Sequence, residues 1–316
     1  MNPEPYAVVI GGVNIDICGR SFAPLIEKDS NPGRVSTSLG GVGRNIAHNM
    51  AMLGINVVFL TAFGEDIFKD RIEAVCAEQG IDIRHARKVP KAATSMYVFL
   101  GGPDGDMVLA VSDMKICENI TPDYIETKLE IINDAALAVV DANLPEETIR
   151  YLLENARVPV FADPVSAAKT VRISSCLDRI HTIKPNRLEA QVLTGLEITD
   201  EVSARAAVRT LLEKGVQQVF LTLGTQGVTG GQRLPSAGGE QDQIQICHQP
   251  CIPAQSRNAT GAGDAFMAGL VWSYLQGYDM EKTIKAASAA AAITVESEET
   301  ISSVLSPKAI KKRAGI

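Results

Sequence analysis

Short apolar runs recur along the chain at positions 6–10, 57–62, 137–141, 158–162, 181–183 and 218–222, and amphipathic stretches at 46–53, 67–78, 145–155 and 202–214 separate most of them. A strand that is apolar on both faces has to be covered on both, and intervening segments with a helical repeat supply that cover. The alternation predicts an α/β fold, a mostly parallel central sheet between two layers of helices. Two closing segments, 283–295 and 306–312, read as further helices, the first so rich in alanine that it must pack closely against a neighbour.

Two regions break the rhythm. Residues 14–39 contain no convincing helix, and 94–112 read as a hairpin turning at Gly101-Gly102-Pro103-Asp104-Gly105. Ligands of open α/β sheets gather at the carboxyl ends of parallel strands. Extra strands there can form a lid, built discontinuously from about 14–39 and 94–113; a plain surface hairpin is the alternative. No internal repeat or interdomain linker interrupts the 316 residues, which read as a single domain.

Composition narrows the partners. A formal net charge of −7 leaves no basic field for a nucleic-acid backbone. The opening MNPEPYAVVIGG lacks the basic segment of a secretion signal, and no run reaches the roughly 18 apolar residues of a membrane span. A cytoplasmic protein without nucleic-acid or membrane partners is expected. The six cysteines are scattered, as reduced thiols would be. Cys247-His248-Gln249-Pro250-Cys251 resembles half a metal motif but lacks a second pair, and two thiols on a strand and its turn explain it better.

The chemistry concentrates in NATGAGDAF, residues 258–266. Helix-start amides lack carbonyl partners and carry the positive end of the dipole, so Gly261, Ala262 and Gly263 leave an anion free to approach. Asp264 lies in the same turn, where the positive end favours its ionised form, and a carboxylate can accept a hydroxyl proton. Such a pairing suits phosphoryl transfer. Close helix packing with an acidic cap explains the same residues equally well.

Two further stretches bear on the choice. In Lys184-Pro185-Asn186-Arg187-Leu188-Glu189, Asn186 and Glu189 fall one helical turn apart, so their oxygens can face one point and hold a hydrated Mg²⁺; a helix cap with a solvated acid is the plainer reading. In 221–228, Thr222, Gly224 and Gly227 mark a strand leaving into a glycine-punctuated turn, open to a nucleotide or simply tight. Neither a Walker GxxxxGK[ST] nor a complete GxGxxG is present, which removes the main support for P-loop enzymes and nicotinamide oxidoreductases.

Gly40-Gly41 with Asn45, the Asn186 and Glu189 pair, the turn from Thr222 to Gly227 and the run from Asn258 to Asp264 together resemble the ribokinase-like (PfkB-type) carbohydrate and nucleoside kinases, in order and across essentially the whole chain. The resemblance implies a ribokinase-like three-layer αβα sandwich with a small β-sheet lid that often forms a dimer interface, hence a homodimer. It implies Asp264 as catalytic base and the amides of Gly261, Ala262 and Gly263 as the anion hole. Lys184, Asn186, Glu189, Thr222, Gly224 and Gly227 would serve ATP, with Asn186 and Glu189 reaching Mg²⁺ through water. Asn14, Asp16, Gly40, Gly41 and Asn45 would bind the sugar. Members commonly use a monovalent cation beside the last motif, and Asn258, where an Asp is more usual, leaves K⁺ dependence open.

Narrower stretches, among them 29–33, 40–47, 112–116, 163–169 and 180–190, are similar to the pseudouridine kinases, which make pseudouridine 5′-phosphate from pseudouridine and ATP. A uracil ring linked through carbon offers two N–H donors and two carbonyl acceptors, for which Ser30, Asn31, Asp113 and Lys169 are the candidate contacts. Ribokinase or another ribonucleoside kinase is the alternative within the class. A nucleoside-binding regulator is the alternative outside it, although pure binding would not require Asp264.

Overall fold

The computed structural model describes residues 5–103, 107–234 and 243–316. In chain order its strands are Tyr6–Ile10 (β1), Asn14–Ser21 (β2), Gly33–Gly40 (β3), Asn56–Leu60 (β4), Ala62–Gly64 (β5), Ile81–Asp82 (β6), Arg87–Val89 (β7), Ser95–Gly101 (β8), Met107–Asp113 (β9), Leu137–Asp141 (β10), Val160–Asp163 (β11), Thr182–Ile183 (β12), Gln218–Thr222 (β13), Val228–Leu234 (β14) and Gln243–Gln249 (β15). The helices are Val42–Met52 (α1), Lys69–Glu78 (α2), Pro122–Glu126 (α3), Leu129–Asn133 (α4), Glu146–Asn155 (α5), Ala167–Thr170 (α6), Arg187–Thr194 (α7), Glu201–Glu213 (α8), Ala262–Leu275 (α9), Met280–Val295 (α10) and Pro307–Ala314 (α11).

The main sheet runs β15-β14-β13-β12-β11-β10-β1-β4-β6. It is parallel from β13 to β6, and only β14 and β15 pair antiparallel. Alternate residues of β1 feed two separate cores, Val8 and Ile10 on the face of α5 and α8, Ala7 and Val9 on the face of α1, α9 and α10. That is the three-layer sandwich the apolar runs predict. After β1 the chain builds β4 and β6 on one side and returns with β10 on the other, which leaves a topological switch point between β1 and β10.

Among the boundaries that differ from the sequence expectation, three have a clear local reason. The 57–62 run splits, because Ala62–Gly64 leaves the main sheet to pair with β7, with Gly64 so close to Ala92 that a Cβ would stand 2.1 Å from its carbonyl oxygen. β11 starts at Val160 rather than 158, since Pro159 accepts from Ala138 N–H but has no N–H to return. α1 begins at Val42 rather than 46, because Gly41 turns the chain with φ 101 against the Gly12 carbonyl; glycine can do this and a residue with a side chain would clash.

The alanines of α10 have their neighbour in α9, whose Gly269 lets Ala287 approach until an added Cβ would be 2.7 Å from its Cα. The two irregular regions form a second sheet, ordered β3-β2-β8-β9. Its β8–β9 hairpin matches the reading of 94–112, while Asp104 and Gly105 of the turn lie outside the described residues. No helix among the described residues is long and apolar enough to cross a membrane.

Candidate active site

The switch point is organised by Asp141, the last residue of β10. Its Oδ2 accepts from the N–H groups of Gly12 at 2.9 Å and Gly43 at 2.8 Å, and its Oδ1 accepts from Asn143 N–H at 2.8 Å. One carboxylate thus ties the end of β1 to the start of α1. Burial pushes its pKa up, against those backbone hydrogen bonds. A side chain at Gly11 is impossible here, since a Cβ would lie 2.3 Å from Asp141 Oδ2.

From that anchor α1 aims Asn45 at the start of α9. Asn45 Nδ2 donates to Asp264 Oδ2 at 2.7 Å, and Asn45 Oδ1 is buried without a partner. Helix α9 begins after Gly261, left-handed at φ 83, where a Cβ would stand 2.1 Å from the Thr300 carbonyl oxygen. The Ala262 N–H makes only a long 3.4 Å contact to Ala259, so it remains a good donor for an arriving anion.

Burial and the nearby Asp163 push the Asp264 pKa up to about 7, although the Asn45 hydrogen bond and the charges of Lys184 and Arg44 oppose them. This corrects the expectation that the helix end holds Asp264 ionised. A helix dipole contributes about 0.3–1 kcal/mol, whereas burying a carboxylate costs several. The outcome is a base poised near neutrality.

Asp16 on β2 faces the same region. Its carboxylate covers Gly40, where a Cβ would be 2.2 Å from Oδ2, and it accepts from Asn14 Nδ2 at 2.6 Å. Burial raises its pKa, with Asn14 and Arg44 lowering it. Arg44 is buried at 4% exposure, its charge held by Asp16 and Asp264 against a desolvation that brings its pKa down to about 10. Arg44 lies inside the 40–47 stretch but was given no role, although a charge inside a glycine-flanked helix start was a usable signal.

Lys184 Nζ lies 3.2 Å from the point where Gly263 would carry a Cβ, and it forms a buried ion pair at 3.2 Å with Asp163, the last residue of β11. Burial works against the lysine charge, but Asp163, Glu189 and Asp264 outweigh it and raise the pKa. Lys184 therefore stays cationic beside the α9 amides. Asp141 and Asp163 were missed in sequence, where each is a lone acid ending an apolar strand.

Asn186 and Glu189 form a reciprocal capping box on α7: Asn186 Oδ1 accepts from Glu189 N–H at 3.0 Å, and Glu189 Oε2 accepts from Asn186 N–H at 2.8 Å. Asn186 Nδ2 also donates to Glu189 Oε1 at 2.8 Å. The side-chain oxygens are thus turned on each other's N–H groups rather than on one outside point. Such a cap is worth about 1 kcal/mol and accounts for Asn186 unaided. Glu189 is nevertheless buried, not solvated.

Thr222 ends β13 against Asn186, while Gly224 at φ 61 has open space around it. Gly227, at φ 90, packs on the backbone of Gln249, so its glycine serves the turn. Asn258 Oδ1 accepts from Thr260 N–H and its Nδ2 donates to the Glu298 carbonyl, a neutral clasp across the motif.

The four base-contact candidates are not brought together. Asn31 uses its side chain on Ile26 and Asp29 of its own loop, and Ser30 beside it is exposed. Asp113 pairs opposite Met96, on the sheet face away from Asp16, and accepts from Lys115 N–H. Lys169 is no solvated charge, since its Nζ donates to Asn143 Oδ1 at 2.5 Å. Cys247 and Cys251 lie on β15 and just beyond it as free thiols, and among the described residues no cluster of three or more His, Cys, Asp or Glu side chains could hold a metal.

Asp264, Lys184 and the start of α9 lie together at the carboxyl side of a doubly covered parallel sheet, an arrangement of acid, cation and open helix amides that can serve phosphoryl transfer. The chain belongs to the pfkB family of carbohydrate kinases, which it matches over residues 4–307. Pseudouridine kinase of Escherichia coli (strain K12) is 35% identical over 301 residues, covering 95% of this chain and 93% of the relative. The uncharacterized sugar kinase YeiI of the same organism is 33% identical, covering 93% and 79%. Arabidopsis thaliana ribokinase complexed with ribose and ATP superposes with a TM-score of 0.81 at 25% identity, covering 99% of each chain. The protein is accordingly an ATP-dependent kinase of the ribokinase fold.

Proposed function

We propose that the protein transfers the γ-phosphoryl group of ATP to the 5′-hydroxyl of pseudouridine, releasing pseudouridine 5′-phosphate and ADP. The observation that carries the reading is the Asn45–Asp264 hydrogen bond, with Asp16 and Asp264 both acting on the buried Arg44 charge. Asp264 takes the hydroxyl proton as the oxygen bonds to phosphorus and the bond to ADP breaks. Asn45, through its unpartnered Oδ1, orients a sugar hydroxyl, and Asp16 accepts from the vicinal diol. Lys184 and the amides of Gly261, Ala262 and Gly263 neutralise the moving phosphoryl group.

Asn186 and Glu189, whose oxygens keep a lone pair beyond the cap, are the residues that would hold a hydrated Mg²⁺, which would supply charge neutralisation beside the phosphates. Thr222, Gly224 and Gly227 border the nucleotide, and the β3-β2-β8-β9 sheet serves as the lid of a single kinase domain. Two copies pair through the lid's exposed aliphatic face, and six free thiols suit a reducing cytoplasm.

The near-equal identity to an uncharacterized sugar kinase favours a second reading, a free-pentose kinase. ATP consumption by the purified protein against pseudouridine, uridine, adenosine and ribose in parallel separates the two. Turnover of ribose with pseudouridine untouched would refute the nucleoside assignment.

A further inference from the structure

The lid sheet keeps two kinds of apolar residue on opposite faces. Exposed Val35, Val98, Leu100, Leu109 and Val111 share the outer face. The sheet's two aromatic residues, Tyr97 and Phe99, stand on the face of Asp16, because in the β2–β8 register Asp16 pairs with Tyr97 and Cys18 with Phe99, and side chains alternate along strands.

Around the two rings the neighbours are small. Phe99 lies between Cys18 and Ala110, and Tyr97 between Asp16 and Ser112. The rings are half-buried, tilted by 37° with centroids 5.8 Å apart, and rise above that floor as one continuous surface. Tyr97 is one strand spacing, about 4.8 Å, from Asp16, and Phe99 is about 6.6 Å further along. A pentose whose diol rests on Asp16 would therefore carry its C1′ substituent out over the aromatic pair.

We propose that Tyr97 and Phe99 are a stacking platform for the planar base of a nucleoside, and that the lid thereby selects nucleosides over free pentoses. The proposal rests on the reading of Asp16 as the sugar contact. Stacking suits a π-face of any base, so the platform sets the class of substrate, and polar contacts choose among bases.

The test measures KM and kcat of the full chain with saturating ATP for pseudouridine, and for ribose as substrate or competing ligand, in wild type, Phe99→Leu, Tyr97→Leu and Tyr97→Phe. Leucine keeps apolar bulk and fold but loses the π-face. The nucleoside KM should rise about tenfold in either leucine variant with kcat nearly unchanged. Ribose affinity should not move, and Tyr97→Phe should behave as wild type. An unchanged nucleoside KM in both leucine variants, an equal rise for ribose, or a wild type that prefers ribose to every nucleoside would overturn the platform and leave the kinase site standing. Absence of turnover with every pentose and nucleoside would overturn the site reading and the platform with it.

Discussion

The side-chain amide of Asn45 donates a 2.7 Å hydrogen bond to the carboxylate of Asp264, joining the first turns of two helices whose residues are 219 apart in the chain. The bond orients the acid and partly offsets the desolvation that carries its pKa to about 7.

Because a general base must be ionised, kcat should climb with pH through a midpoint near 7 and then level off. Asp264→Asn should bind both substrates while kcat drops by roughly 10²-fold or more. A pH–rate profile flat from about pH 5.5 to 8.5 would remove Asp264 as the base.

Stability should show the same group with opposite benefit. Asp264 has a folded pKa of about 7 against an ordinary value of 3.8, so between the two the folded state binds more protons and its stability falls as pH rises. Above neutrality Asp264→Asn, with no charge to bury, should be more stable than wild type by on the order of 2 kcal/mol. Denaturant titrations of both proteins at pH 5 and pH 8 provide the check.

Lys184 and Asp163 should separate stability from catalysis. Lys184→Met leaves the buried Asp163 carboxylate unpaired, at a cost of about 3–5 kcal/mol. Adding Asp163→Asn should recover most of that loss, while kcat stays at least about 10²-fold down because the cation beside Gly263 is gone. Recovery of both by the double variant would make Lys184 a structural residue.

Gly40→Ala puts a methyl group 2.2 Å from Asp16 Oδ2, so the carboxylate has to turn from its place. The nucleoside KM should rise at least about tenfold with the melting temperature nearly kept. Light scattering addresses the other lid face: Val111→Lys, in the exposed aliphatic row, should convert a homodimer to monomers.

How much of this was readable depends on distance along the chain. The order of layers was, because each parallel strand states its double-sided burial in its own five or six residues, as at 6–10 and 137–141. Residues 14–39 were legible as strands through the lack of a helical repeat. Asn186 and Glu189 were legible as a one-turn pair, but their spacing fits a cap and an ion site alike, and only coordinates show each side-chain oxygen accepting from an N–H of the other residue.

Arg44, Asp141 and Asp163 escaped for a different reason. Each has a neighbour within four residues, but the charges and amides that give it a role, Asp16 and Asp264 for Arg44, Gly12 and Gly43 for Asp141, Lys184 for Asp163, are brought by the fold from elsewhere in the chain. Local patterns decided the α/β architecture, the strands of the second sheet and the helix start that opens at Gly261, since backbone preference and burial act over a few residues. Tertiary packing alone decided that Asn45 meets Asp264, that Arg44 sits among two acids and that Lys184 stands beside Gly263. Desolvation and Coulomb attraction depend on distances in space, and no spacing in the chain encodes those distances.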